Sequence, residues 1–103
     1  MRYIVDIDNT ICKTNGSDYQ NSVPMYDRIN IINQLYEMGH EIVYWTARGG
    51  QSRINWSQLT ELQLKTWGCL YHELRMNKPS YDVWIDDKAM SDREFFGDFT
   101  YRM

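Results

Sequence analysis

Tyr3-Ile4-Val5-Asp6-Ile7-Asp8-Asn9-Thr10 is the stretch whose reading decides the fold. Three apolar residues run into an acid, an apolar residue, a second acid, an amide and a hydroxyl. An unbroken Tyr-Ile-Val run predicts a strand buried on both faces, as inside a parallel sheet. Asp6 then falls at its carboxyl end, and Asp8, two residues on, points to the same side. Neighbouring carboxylates oppose each other's ionisation unless a cation joins them. The pair is therefore a candidate hard-metal site, and oxygen ligands favour magnesium over zinc. The plainer alternative is a helix-capping acid after a core strand.

Downstream, apolar and polar stretches alternate. Ile11 to Val23 is a polar connection with a turn signal at Asn15-Gly16-Ser17-Asp18, long enough to suggest a functional loop. A helix is predicted from about Pro24 to Gly39, with Ile29, Ile32, Leu35 and Tyr36 inward. Glu41 to Trp45 reads as the second strand, followed by Thr46-Ala47-Arg48-Gly49-Gly50. A second helix is predicted from near Ile54 to Gly68, with Leu59, Leu62 and Thr66 on one face. Leu70 to Met76 suits an edge strand, and Tyr81 to Ile85 a fourth strand ending on Asp86-Asp87. The tail from Lys88 reads as a short helix and a terminal segment.

Strands alternating with helices predict a layered α/β fold with a mostly parallel sheet, in one domain over residues 1–103. Ligands of such sheets bind beyond the strands' carboxyl ends. Asp6 and Asp8, Thr46, and Asp86 and Asp87 all fall there, with Lys78 just before the last strand. Capping alone does not account for a set of acids, hydroxyl and lysine at one edge. His40 and His72 belong at the opposite end, and Trp45 and Trp84 suit core packing.

Composition narrows the classes. With 11 basic and 14 acidic side chains the net charge is −3, and no basic run marks a nucleic-acid surface. Cys12 and Cys69 have neither metal nor redox spacing, which fits a reduced cytoplasmic setting, with one disulfide as the alternative. No signal peptide or membrane span is predicted, because Asp6 and Asp8 interrupt the first apolar run.

Asp6-Ile7-Asp8-Asn9-Thr10 resembles the first motif of the haloacid dehalogenase-like superfamily. Val43-Tyr44-Trp45-Thr46 is similar to its second motif, Lys78 to its third, and Ile85-Asp86-Asp87 to its fourth, in the superfamily's order. Trp45-Thr46-Ala47-Arg48-Gly49, Lys78-Pro79 and Ile85-Asp86-Asp87-Lys88-Ala89 further resemble small capless phosphatases of bacterial capsule and surface-sugar synthesis. The resemblance implies a three-layer Rossmann-like fold without a cap domain. It also implies a magnesium-dependent phosphomonoesterase working through an aspartyl-phosphate. In that reading Asp6 is the nucleophile, Asp8 the general acid/base, and Thr46 and Lys78 bind the phosphoryl group. Asn9, Ala47 and Arg48 stand beside them as substrate contacts. The side chains of Asp6 and Asp86 and the main-chain carbonyl of Asp8 hold the metal, and Asp87 is either a further ligand through water or an orienting group for Lys78.

The expected substrate is a small phosphorylated molecule, a sugar phosphate or phosphosugar acid. A polynucleotide or nucleotide phosphatase is the runner-up, weakened by the missing basic stripe. A phospho-receiver domain shares the chemistry, but its acid pair comes first and here comes last. A catalytically idle binding module has no support from an empty position. A lid with its own core needs roughly 50 residues, which neither interval between motifs can spare. An open site and an aromatic-rich surface therefore suggest a homo-oligomer whose neighbour helps enclose the substrate.

Overall fold

The computed structural model describes residues 1–49 and 54–97. Strands β1 (Arg2–Val5), β4 (Glu41–Trp45) and β5 (Glu73–Arg75) form a parallel sheet in the order β1-β4-β5. Between them, β2 (Cys12–Lys13) and β3 (Val23–Pro24) make a small antiparallel hairpin, closed by a 3-10 turn at Tyr19–Asn21. Helices α1 (Tyr26–Glu37) and α2 (Ser57–Thr66) fill the two crossovers, and α3 (Asp92–Phe96) follows late in the chain. The result is a small Rossmann-like α/β domain.

Register explains the core. Val5 lies beside Tyr44 and Tyr44 beside Leu74, so these share one sheet face with Tyr3 and Ile42. Ile29 and Ile32 of α1 and Leu64 of α2, with Trp67 just beyond it, pack into the same cluster. Phe95 of α3 meets Tyr3 edge to face at 6.0 Å, and Asp92 pairs with Arg28 of α1 at 2.7 Å. The three described helices therefore gather on one face; on the other, Val43 is buried and Ile4 exposed, with no described helix over them.

Other expectations also need correction. The first strand is not buried on both faces: among the described residues β1 is an edge strand, and Ile4, on the face away from the helices, is 49% exposed. The expected fourth strand at Tyr81 to Ile85 does not form, and positions 81–90 run as exposed irregular chain. An apolar run becomes a strand only where a sheet edge and covering layers receive it, and here no described helix covers that face. Trp84 is accordingly 41% exposed and no core residue.

Pro24 does not open the first helix. It pairs with Cys12 in β3, Met25 donates its N–H to the Ile11 carbonyl, and the helix starts at Tyr26. The inner face of α2 is Thr60, Gln63 and Leu64, not Leu59, Leu62 and Thr66; Leu62 is 60% exposed. Two polar residues are buried there because they bond Arg48.

The helix ends follow the sequence well. Gly39 adopts φ +94° past α1 and Gly68 φ +74° past α2. At each, a six-residue and a four-residue closure satisfy the last carbonyls: His40 N–H to Leu35 and Gly39 N–H to Tyr36, Cys69 N–H to Leu64 and Gly68 N–H to Lys65. β5 occupies the sheet edge as expected, with Leu74 half-buried between exposed Glu73 and Arg75. The late helix forms on a capping box between Ser91 and Glu94.

Candidate active site

Asp6 leaves the carboxyl end of β1. Its Oδ1 accepts the Ile7 N–H at 2.8 Å, and its Oδ2 lies 4.0 Å from Lys78 Nζ. Burial pushes the Asp6 carboxyl above its ordinary range, opposed by the Lys78 charge and the Ile7 N–H. Asp8 adds repulsion in the same upward direction.

Immediately after, the chain reverses. Asn9 takes φ +60°, and Thr10 and Ile11 both return their N–H groups to the Ile7 carbonyl. Asn is among the few side-chain-bearing residues that tolerate this region. The reversal aims Asp8 at Arg48: Nε reaches Asp8 Oδ2 at 3.0 Å and one terminal nitrogen reaches Oδ1 at 2.8 Å. Thr14 adds a hydroxyl to Oδ1 at 2.6 Å.

Arg48 is 1% exposed. Beyond Asp8, its other N–H groups reach Thr60 Oγ1 at 3.1 Å, Gln63 Oε1 at 2.6 Å and Ser22 Oγ at 3.4 Å. A guanidinium has five N–H donors, and each finds an acceptor here. The Tyr19 ring covers it, its centroid 4.7 Å from the guanidinium carbon. Arg48 was expected to contact substrate; with its fork committed to Asp8, it instead fastens the β2–β3 hairpin and α2 around that acid.

Thr46 is fully buried one residue beyond β4. Its N–H bonds the Arg75 carbonyl at 2.9 Å, and its carbonyl accepts the Lys78 N–H at 2.8 Å. That last bond carries the β5 exit across to β4 and brings Lys78 over Asp6. The Thr46 hydroxyl oxygen accepts the Arg48 N–H at 3.2 Å, a bond that does not use the hydroxyl hydrogen. Lys78 Nζ also sits 5.2 Å from the Tyr81 ring centroid and 5.5 Å from that of Trp84. Neither aromatic was singled out for this from the sequence.

The structure thus brings Asp6, Asp8, Thr46 and Lys78 to one end of the sheet, with Asn9 and Ala47 exposed on the adjoining turns. Asp86 and Asp87 lie on the exposed stretch, Asp86 bonded to the indole of Trp84, whose ring adjoins Lys78. The Asp86 carboxylate accepts the Lys88 N–H at 2.9 Å and the Trp84 indole N–H at 3.4 Å. The Lys88 amide, then Asp87 and Trp84, hold it below the usual carboxylate range. Among the described residues no three acids, histidines or cysteines converge as a metal site. The donors are chemically right for magnesium: Asp6 and the main chain of Asp8 stand at the sheet end, and Asp86 and Asp87 lie on the exposed stretch.

Of the expected bystanders, His40 lies by the Met1 amino group and the Tyr3 ring, and His72 beside Ile42, both at the far end. Thr14, Ser22, Thr60 and Gln63 were not foreseen. A polar pair at i and i+3, followed at once by Leu64, was the one available signal.

No family model and no curated protein matches the chain. A crystal structure of a Vibrio cholerae protein, solved as a structural-genomics target, is similar over nearly its whole length. It is 31% identical with a TM-score of 0.81, covering 92% of this chain and 86% of that one. At that identity and coverage the two chains belong to one family and share the fold. The Vibrio protein is described by its origin alone.

Proposed function

We propose that a chain presenting Asp6, Asp8, Thr46 and Lys78 at one end of a parallel sheet is a phosphomonoester hydrolase working through an aspartyl-phosphate. The observation that carries this reading is the approach of Lys78 Nζ to Asp6 Oδ2 at 4.0 Å, beside Thr46. A phosphoryl dianion repels an attacking carboxylate, so a cation must stand next to the nucleophile. Lys78 fills that role, and the Thr46 hydroxyl can donate to a phosphoryl oxygen. Asp6 attacks phosphorus as the alkoxide leaves, and water then cleaves the acyl phosphate. Asp8 supplies the proton to the leaving oxygen and takes one from the water.

The carboxylate set suits magnesium, which we propose as the cofactor, with Asp6, Asp8 and Asp86 or Asp87 as its ligands. The substrate in this reading is a sugar phosphate or phosphosugar acid of surface-polysaccharide synthesis, in a cytoplasmic setting that suits two free, buried thiols. No described helix is long and apolar enough to cross a membrane. A nucleotide or polynucleotide phosphatase remains the second reading, favoured by the exposed rings of Tyr81 and Trp84 beside Lys78.

Phosphate release from sugar phosphates, nucleotides and 3′- or 5′-phosphorylated oligonucleotides, with magnesium and in excess chelator, tests both. Turnover of sugar phosphates that chelation abolishes is expected. Full turnover by metal-stripped protein in chelator would rule out the metal, and preference for oligonucleotides would exchange the two readings. Asp6→Asn should lose both turnover and labelling by phosphate. Asp8→Asn removes proton transfer, usually worth ~10²- to 10⁴-fold. With an activated ester, which needs no proton to leave, it should give a burst equal to the number of sites and then slow release. Equal rates for Asp8→Asn and the parent on ordinary esters would remove Asp8 from the mechanism.

A further inference from the structure

Lys78 joins the phosphoryl-binding groups to two aromatic side chains. Its Nζ lies 4.0 Å from Asp6 Oδ2, 3.4 Å from the Tyr81 hydroxyl, and 5.2 and 5.5 Å from the ring centroids of Tyr81 and Trp84. The rings are held by several contacts. They meet each other edge to face at 5.1 Å, and Trp84 packs in the same manner at 6.3 Å on Trp45, the last residue of β4. The Trp84 indole N–H donates to Asp86 at 3.4 Å. Even with Lys78 against them, Tyr81 remains 49% exposed and Trp84 41%. Large rings fixed in this way and left open to water present a flat apolar face.

Resting on the phosphatase reading, we propose that Trp84, flanked by Tyr81, receives the ring of the ester's alcohol, so that the enzyme prefers a phosphate carried beside a ring to one on an open chain. Position comes from Lys78. A phosphoryl oxygen held by its ammonium stands about 2.8 Å away. The alcohol's ring begins a few bonds beyond that phosphorus, a span comparable with the one from Nζ to the two centroids. Selectivity comes from the faces. Stacking on an aromatic side chain asks for a flat or C–H-lined surface and tolerates many ring types. A pyranose and a nucleobase both present such a surface, and glycerol does not. Trp84 carries more of the contact than Tyr81, because its face is the larger and both Trp45 and Asp86 fix it.

Two measurements test this. The first is kcat/KM for glucose 6-phosphate, uridine 5′-monophosphate and glycerol 3-phosphate, on the parent, Trp84→Leu and Trp84→Phe. All three are monoesters of a primary alcohol, so any disturbance of Lys78 or Asp6 cancels in the ratio of ring ester to glycerol phosphate. For the preferred ring ester that ratio should fall about ten-fold in Trp84→Leu, the scale of one lost stacking contact, through KM more than kcat. Trp84→Phe, which keeps an aromatic face, should recover most of it. Preference for glucose 6-phosphate identifies the ring as a pyranose and preference for uridine monophosphate as a nucleobase; either supports the proposal. Glycerol phosphate hydrolysed as well as both ring esters, or a ratio unchanged in Trp84→Leu, overturns it. The second is saturation-transfer NMR with the same three esters on Asp6→Asn, alone and combined with Trp84→Leu. Trp84 stands outside the core cluster, so its replacement keeps the fold. Transfer strongest at the ring protons, and lost with Trp84→Leu, is expected. No transfer to either ring, or transfer that survives Trp84→Leu, overturns the proposal. If the parent hydrolyses no ester, the phosphatase reading fails, and the NMR arm alone decides the role of Trp84 because it needs no turnover.

Discussion

Arg48 carries its charge where water does not reach, and the cost is met by geometry. Its guanidinium is fully covered, and Asp8, 21% exposed, accepts both arms of the fork. Such a pair adds little or nothing over a well-packed apolar substitute for both partners, yet removing one partner strands the other. Arg48→Met should therefore destabilise the fold by about 3–5 kcal/mol, read from urea unfolding; a loss below about 1 kcal/mol would show that Asp8 is satisfied without it. Asp8→Asn keeps an oxygen for one arm of the fork but leaves the fully covered guanidinium without its counter-charge, so it belongs in the same unfolding assay. The thiols are a second case at this scale. Burial pushes Cys69 up from 9.0 to about 12, and burial likewise raises Cys12 and the Tyr44 phenol, which lies against Cys69. At pH 8 both cysteines should resist iodoacetamide in the folded protein and react in denaturant. A group whose folded pKa lies above its unfolded value stabilises below the unfolded pKa and loses that contribution as pH rises through the folded one. For Cys69 the loss begins above pH 9 and is complete past about 12. Urea midpoints should fall across that window, and less steeply in Cys69→Ala.

Among the elements, the two crossover helices end by the same device and can be tested by the same substitution. Gly68 has no atom within 4 Å of a built Cβ, so Gly68→Ala meets only the left-handed backbone penalty. About 1 kcal/mol of lost stability is expected, with Gly68→Asn closer to the parent. A neutral Gly68→Ala in denaturant titration would mean the helix end relaxes to another closure. α3 depends on its cap: Ser91→Ala removes the hydroxyl that accepts the Glu94 N–H at 3.1 Å and should cost about 1 kcal/mol. Both helix ends were legible from Gly39 and Gly68, because a C-terminal glycine is a local requirement of the backbone. The start of α1 was not. Pro24 is equally at home in a first helical turn and in a short strand without a donor, and the pairing with Cys12 chooses between them.

For the whole molecule, the sheet stops at β1, whose outer edge pairs with no other strand among the described residues. Val83 is 73% exposed and Ile85 92%. Hydrogen exchange should thus find the β4 amides slowest, since that strand is paired on both sides, and the amides of 81–90 among the fastest. Protection at Val83 and Ile85 would show a fourth strand forming beside the sheet in solution. The expectation of a homo-oligomer rests on an open site and the aromatic content; a monomeric mass by light scattering, at concentrations where substrate turns over, would remove it.

What the sequence determined by itself was local and periodic. The β-α-β-α-β order, the inward Ile29 and Ile32, the glycine ends, and the placing of Asp6 and Thr46 at strand ends all follow from spacing and backbone chemistry within a few residues. Only the tertiary structure decided what depends on distant partners. It turned Arg48 from a loop cation into the buried clasp of Asp8, because Thr60 and Gln63 from another element satisfy it. It put all three helices on one face, exposing Ile4 and Trp84, because burial belongs to the layers that meet a strand and not to the strand's own composition. The same dependence on a receiving edge left Asp86 and Asp87 apart from Asp6, although the order of residues along the chain sets all of them at one end.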